Sequence, residues 1–333
     1  MSWKLKAHTL AVLSRIPAGR FLYHRLQQVA GTNRLQLQRD LDRAFELVDL
    51  IHQCGQSVEQ RTCLEIGTGW RPLVPFVLTL GGAARVITVD VNPWLTSGYA
   101  RETWLALEDR LEEIAAQCQV PFADVQTRYQ AMSKNITSPN LEQILRPMRI
   151  QYVYPGDARA TGMPAESFDL VLSSNVLEHI PRDIQTDIHR ESCRVLRPNG
   201  LAVHRFNPQD HYSTVDSAIT NGNFLQYSEK EWNWYGGSGL AYHNRLRSRD
   251  YREMFEETGF ELSVCRERID PVTLDAIQQG RLQVHSEFSK YTPEELSVDY
   301  MWVVGRKPIT KPTSIARNQP IEHIVAGGEN TKY

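Results

Sequence analysis

The stretch that most constrains this chain is Cys63-Leu64-Glu65-Ile66-Gly67-Thr68-Gly69-Trp70. It is an apolar strand that runs straight into two closely spaced glycines and then into a helix. Glycines at such a turn let the backbone reverse sharply and approach a ligand with no β-carbon in the way. A strand feeding a helix in this manner predicts a parallel sheet, because parallel neighbours need a crossover connection. Alone, a short Gly-x-Gly marks a tight turn as readily as a ligand site, so the surrounding pattern has to decide.

That pattern alternates strand and helix along most of the chain. Leu35 to Cys54 reads as a helix, with Leu41, Ala44, Phe45, Val48 and Ile51 on one face. Arg61 to Ile66 is the first strand, Pro72 to Leu80 the helix after it, and Val86 to Val91 a second, β-branched strand. Arg101 to Gln117 reads as one long helix, and residues 118–150 as a loop with a short helix at Leu141 to Leu145. Further strands are predicted at Ile150 to Tyr154, Phe168 to Ser173, Leu201 to Phe206, Glu261 to Arg266 and Val298 to Gly305. Helices are predicted from Asp183 to Leu196 and, behind Ser248 as N-cap, to Thr258. The expected fold is α/β: a seven-stranded, mostly parallel sheet with helices on both faces, an N-terminal helical segment and a cap insertion. The expected organisation is a helical lid over 1–58, a cofactor-binding core over 59–206 and a substrate cap over 207–247. The core is completed over 248–306, and 307–333 is a loosely docked tail.

Charge and cysteine usage narrow the function classes. A net charge of −2 over 333 residues gives the whole chain no bulk attraction for nucleic acid. No apolar run approaches the roughly 18–20 residues that span a bilayer. The five cysteines are scattered and form no Cys-x-x-Cys pair, which argues against a disulfide framework or a zinc site and fits a reducing cytoplasm. The first 39 residues hold no acid but carry Lys4, Lys6, Arg15, Arg20, Arg25, Arg34 and Arg39. Leu5, Val12, Leu13 and Ile16 share a helical face there. The plainer reading is a lid helix on the main domain with a solvated basic rim. Such a helix can also lie peripherally on the anionic inner face of a membrane or attract a phosphorylated substrate.

Three more elements join the glycine turn. Asp90 ends the second strand, 21 residues after Gly69, and is followed by Val91 and Asn92. A carboxylate there can accept hydrogen bonds from both hydroxyls of a ribose, or merely cap the turn at Asn92-Pro93. Gly156-Asp157-Ala158 follows the third strand, where Asp157 can accept from an adenine amino group or form an Asx turn. The fourth strand then runs into Ser174-Asn175-Val176-Leu177-Glu178-His179. In this order and spacing the four elements, over roughly residues 60–205, resemble the class I, Rossmann-like S-adenosylmethionine-dependent methyltransferases, in particular the branch with a Leu-Glu-His motif. The resemblance implies that S-adenosylmethionine is the cofactor. It implies that Glu65, Gly67, Thr68 and Gly69 surround the cofactor's amino acid end, that Asp90 holds the ribose with Val91 and Asn92 beside it, that Asp157 and Ala158 meet the adenine, and that Asn175 lines the floor. The family loop often carries a further glycine where this chain has Arg71. That change shifts the loop or places a cation near the cofactor carboxylate. The runs from His204 to Tyr212 and Asn223 to Tyr227, with Asn244-Arg245-Leu246-Arg247, are similar to bacterial methyltransferases of polysaccharide or secondary pathways.

Methyl transfer to a hydroxyl benefits from a base, and histidine suits neutral pH. His179 and His211 are the candidates, each with packing as its plainer role, and Asp210 could fix the tautomer of His211. Sequence neighbours in an extended segment point in opposite directions, which counts against that pairing. The same His and Asp could hold a divalent metal, but no third ligand is indicated, so no metal is expected. Tyr212, Trp232, Trp234, Tyr235, Tyr242 and His243 crowd the insertion. They form a sugar-stacking surface, with Tyr212 and Tyr242 as substrate residues, or a small satellite core. Gly236-Gly237-Ser238-Gly239 suits a lid hinge. Arg245 and Arg247 either fork onto an acidic acceptor or sit on the surface. The expected function is O-methylation of a small-molecule acceptor, a sugar or glycoconjugate first. The alternatives are N-, C- or carboxyl-directed methylation of another metabolite, or a non-catalytic binding protein. A nicotinamide-dependent oxidoreductase would need a third glycine where Pro72 stands.

Overall fold

The computed structural model describes residues 2–17, 19, 34–237, 240, 242–309 and the backbone of 322–325. The predicted alternation resolves into one mixed sheet built from β1 (Thr62–Ile66), β2 (Arg85–Val89), β3 (Ile150–Val153), β4 (Phe168–Ser174), β5 (Leu196–Phe206), β6 (Glu261–Ile269), β7 (Val298–Arg306) and β8 (Glu322–Val325). Their order across the sheet is β3-β2-β1-β4-β5-β7-β6-β8. The first five are mutually parallel, β7 runs antiparallel between β5 and β6, and β8 pairs parallel with β6. The seven expected strands are therefore all present, and an eighth lies inside the stretch read as a loose tail. The edge of β6 offers a free row of backbone groups, with which β8 pairs.

Both faces of the sheet are covered, as buried parallel strands require. On one face Leu64, Ile87, Val171, Ala202 and Val303 meet Ile188 and Phe255. On the other, Cys63, Val86, Leu170, Leu172 and Val203 meet the helix Leu37–Gln53 and its neighbours. The long helix expected at 101–117 is interrupted: Ser97–Ala106 and Leu111–Cys118 are separated by a 3₁₀ turn, Glu108–Arg110. The short helix expected at Leu141–Leu145 is present, and the loop read before it holds a further helix, Phe122–Met132.

The N-terminal helix, Trp3–Arg15, docks differently from the expectation. Trp3, Ala7 and Leu10 are its buried face, and they pack on Tyr212, Phe224 and Trp232 of the insertion. Leu5, Val12 and Ile16 point outward and are 61%, 58% and 48% exposed. Both faces of this helix are apolar, so periodicity alone could not choose between them, and the larger Trp3 surface wins burial. Trp3 lies 5.6 Å from Tyr212 and 5.1 Å from Tyr235 between ring centroids. Tyr212, Trp232 and Tyr235 of the insertion thus belong to the satellite core, whereas Trp234 is 62% exposed and Tyr242 lines the cleft at the strand tips. Arg20, Arg25, Ser238 and Gly239, which figured in the lid and hinge expectations, lie outside the described residues.

Candidate functional site

The order β3-β2-β1-β4 reverses the direction of chain progress at β1. A crevice opens at such a switch point beyond the carboxyl ends of the strands. Here it is a cleft of about 1170 Å³, and Glu65, Gly67, Asp90, Asp157, Asn175 and His179 all line it. The strand tips read from the sequence therefore converge.

The glycine turn is shaped by close approach. Gly67 has φ +83°, and a β-carbon on it would fall 2.4 Å from Val176 Cγ2. Only glycine lets the β1 loop press onto the segment after β4. Gly67 N–H donates to the Val89 carbonyl at 2.8 Å, and Gly69 N–H to Asp90 Oδ2 at 2.9 Å. Asp90 Oδ1 accepts from Asn92 N–H at 2.9 Å. Each carboxylate oxygen keeps spare lone pairs for two hydroxyls. Burial raises the Asp90 pKa, and the backbone donors work against that rise. Beside it Val91 is 69% exposed at the cleft wall, an apolar surface suited to a planar base. Trp70 stacks on Trp94 with centroids 4.6 Å apart along the same cleft, an aromatic wall that the sequence reading missed.

Glu65 is almost fully buried where β1 ends, and burial pushes its pKa up to about 8. Thr88 Oγ1 donates to its Oε2 at 2.5 Å, and Thr68 hydrogen bonds Thr88 in turn. Asp157, by contrast, is half exposed at the lip. Its Oδ1 accepts from Arg159 N–H at 2.9 Å, an Asx turn, and Arg159 Nη2 pairs with Oδ2 at 2.8 Å. The hydrogen bonds from Arg159 hold its pKa below the ordinary carboxylate range. Reaching an adenine amino group requires it to leave Arg159, a small cost for so exposed a pair. Asn175 sits at φ +55° on the cleft floor, and its Oδ1 accepts from Arg205 at 2.7 Å and Tyr300 at 2.9 Å. Arg71 lines the cleft and donates to Glu102 at 3.0 Å.

The acceptor end corrects several expectations. His179 and His211 do meet, edge to face at 4.9 Å between centroids. Asp210 does not orient His211. It is fully buried, accepts from Tyr212 N–H and from Asn223 Nδ2 at 2.8 Å each, and faces His243 Nε2 at 3.6 Å. As an N-cap its carboxylate must turn into the 3₁₀ turn His211–Thr214, while its neighbour points the other way. Burial, with the nearby His243 and His179, drives the His211 pKa well down. It is a neutral imidazole at pH 7 and a weak base. Tyr212 is buried in the satellite core, whereas Tyr242 stays half exposed on the cleft.

Arg245 and Arg247 are structural. Arg245 donates to the carbonyls of Tyr227 at 2.6 Å and Phe224 at 3.3 Å, and Arg247 is fully buried. Cations at this end of the cleft come instead from Arg39 and Arg43 on the helix Leu37–Gln53 and from Lys6. Asp40 pairs with both arginines, at 3.6 Å from Arg39 Nε and 3.2 Å from Arg43 Nη1, and each arginine keeps a buried Nε–H without a hydrogen-bond partner. They line a polar recess with Asn175, Asn207, Gln209, His211, Thr214 and Tyr300. Lys6 and Arg39 were legible as part of the basic first 39 residues, but Arg43 and the direction all three face were not.

The parallel strand tips thus bring a glycine turn, the nearly buried carboxylate of Asp90 and the exposed apolar side chain of Val91 to one cleft. The chain belongs to the methyltransferase-domain family, whose model matches residues 36–263, more than half its length. It is an S-adenosylmethionine-dependent methyltransferase of the class I type. Among solved structures it is similar to an S-adenosylmethionine-dependent methyltransferase from Methanosarcina mazei, at 15% identity and TM-score 0.42, covering 78% of this chain and 98% of that one. A second, from Mesorhizobium loti, shows 16% identity and TM-score 0.41 over 78% of this chain and 96% of that one. No curated protein matches the sequence closely enough to carry a function across. Among the described residues no helix is long and apolar enough to cross a membrane.

Proposed function

We propose that this methyltransferase acts on a hydroxyl of a sugar or glycoconjugate that carries negative charge. The observation that carries the reading is the recess beside His211. It offers amides, hydroxyls and two arginine forks, a lining suited to a polyol with an anionic group, and it opens next to the glycine turn. When bound, S-adenosylmethionine supplies an electrophilic methyl group on a sulfonium. The chain's part is to hold the acceptor in line and keep water out. In this reading Glu65, Gly67, Thr68 and Gly69 surround the amino acid end, and Asp90 with Val91 and Asn92 takes the ribose. Asp157 and Ala158 border the adenine, Asn175 forms the floor, and Tyr242 lines the acceptor's entry. His179 lines the same part of the cleft, which supports a role at the acceptor's entry. The outward apolar face of Trp3–Arg15, among basic residues, supports contact with an anionic membrane surface where a lipid-linked acceptor would be met.

Asp90→Ala is expected to weaken S-adenosylmethionine binding tenfold or more, on the order of 1–3 kcal/mol for charge-assisted hydrogen bonds. Isothermal calorimetry on the folded variant checks this, and an unchanged affinity removes Asp90 from the ribose. Release of S-adenosylhomocysteine with neutral, carboxylated and phosphorylated sugars tests the acceptor. Turnover of the anionic ones, reduced in Arg43→Ala mainly through KM, is the expected result. A methyl group found on nitrogen, carbon or carboxyl would replace the hydroxyl reading.

A further inference from the structure

Three donor groups that the cofactor end does not use converge beside the recess. Glu178 and His179 lie on the 3₁₀ turn Leu177–His179 after β4, and His211 opens the turn after β5. One ligand atom from each lies within 4.8 Å of the other two. Glu178 is 1% exposed, its Oε1 accepts a long bond of 3.4 Å from Asn207 N–H, and its Oε2 is buried with no partner. His211 Nε2 is likewise buried without a partner. His179 Nδ1 lies 3.0 Å from the Tyr242 carbonyl. A carbonyl can only accept, so Nδ1 carries the proton and Nε2 keeps its lone pair. A metal-binding histidine is commonly fixed in this way by a backbone carbonyl behind it.

An unpaired carboxylate oxygen in the interior is costly, and buried charges are otherwise paired or ligate metals. We propose that Glu178, His179 and His211 bind a divalent transition-metal ion at the acceptor end of the cleft. Two imidazoles and one carboxylate suit zinc, manganese, iron or cobalt better than the oxygen-seeking magnesium and calcium. Three protein ligands leave open positions, and these face the recess where the acceptor sits. Bound ligands about 2.1 Å from an ion stand about 3–3.5 Å apart, so the cluster must contract. His179 is exposed, so it has room to approach the other two while its Nδ1 stays on the Tyr242 carbonyl.

The ion's role rests on the hydroxyl reading above, whereas its binding does not. The acceptor oxygen, ligated to the ion, loses its proton to water at the cleft mouth. Its lone pair then forms the new bond to the methyl carbon, and the electron pair of the breaking carbon–sulfur bond returns to sulfur, leaving S-adenosylhomocysteine.

The test uses the full chain, stripped with a chelator and dialysed. Cobalt(II) is titrated in while visible absorption is followed, zinc binding is measured by calorimetry, and S-adenosylmethionine affinity is read on the same preparation. The expected result is one ion per chain, with binding weakened at least tenfold in His179→Ala and in His211→Ala. Glu178→Gln should behave alike. Should that buried variant fail to fold, the exposed His179 still decides. A parent chain that binds S-adenosylmethionine but no metal overturns the proposal, as does metal binding that survives both histidine replacements. Metal bound without S-adenosylmethionine would strike the cofactor reading alone.

Discussion

Glu65→Gln is expected to make the chain more stable than its parent at about pH 9 and to leave it nearly unchanged at about pH 4. The side chain is almost fully buried, and burial lifts its pKa from 4.5 to about 8. The folded state therefore binds this proton more tightly than the unfolded state. Stability from this group is fully present below pH 4.5, falls as the pH rises, and levels off above about 8. At about 1.4 kcal/mol per unit the full swing is on the order of 5 kcal/mol. Water entering the cleft that Glu65 lines brings it down to a few kcal/mol. Urea unfolding of both proteins across this range reads the difference directly, and parallel pH profiles would discard the buried, protonated carboxyl. A second readout follows from the proposed role of Glu65 beside the cofactor's ammonium group. A cation there favours the carboxylate, so binding near neutral pH releases a proton in the parent and none in Glu65→Gln. Calorimetry in buffers of different ionisation enthalpy detects it.

What was legible in the sequence was what a strand tip dictates locally. The Gly67–Gly69 turn, at φ +83° and +64°, leads directly from strand into helix, and Asp90 ends the next strand and caps the turn at Asn92. Both signals are one loop long. The features that escaped depend on elements far apart in the chain. Helix Trp3–Arg15 has two apolar faces, and only the presence of Tyr212 and Trp232 selects the one that is buried. Arg39 read only as the end of a basic stretch and Arg43 was not singled out, yet the packing of Leu41, Phe45 and Val48 on the sheet brings both to the recess. Glu178 was read only as part of a motif. A carboxylate inside the apolar run Val176-Leu177-Glu178-His179-Ile180 was the available signal that it would be buried and want a partner. Strand β8 escaped because its pairing is set by the free edge of β6 rather than by its own side chains.

Arg247 shows how far the same residue type can lie from the role its charge suggests. In the sequence it read either as a fork for an acidic acceptor or as a surface residue. In the structure it is fully buried, and its Nη2 donates to the Pro208 carbonyl at 2.7 Å and its Nε to the Arg245 carbonyl at 3.2 Å. Its guanidinium lies 4.7 Å from the centre of the Phe224 ring. Burial lowers its pKa to about 10, still well above neutrality, so the cation persists at pH 7. It pins the start of the insertion, at Pro208, to the segment that leads back into the helix Ser248–Glu257. Arg247→Ala removes the donors, leaves buried carbonyls unsatisfied and opens a cavity. The expected loss is about 3–5 kcal/mol of unfolding free energy. Arg247→Lys should recover little, because a single ammonium cannot reach both carbonyls as the planar fork does. Hydrogen exchange should quicken first around residues 207–227, while the strand-tip amides of β1 and β2 stay protected, since the pinned segment closes the acceptor end rather than the cofactor end. Denaturant melts within 1 kcal/mol of the parent would return Arg247 to the pool of candidate acceptor ligands.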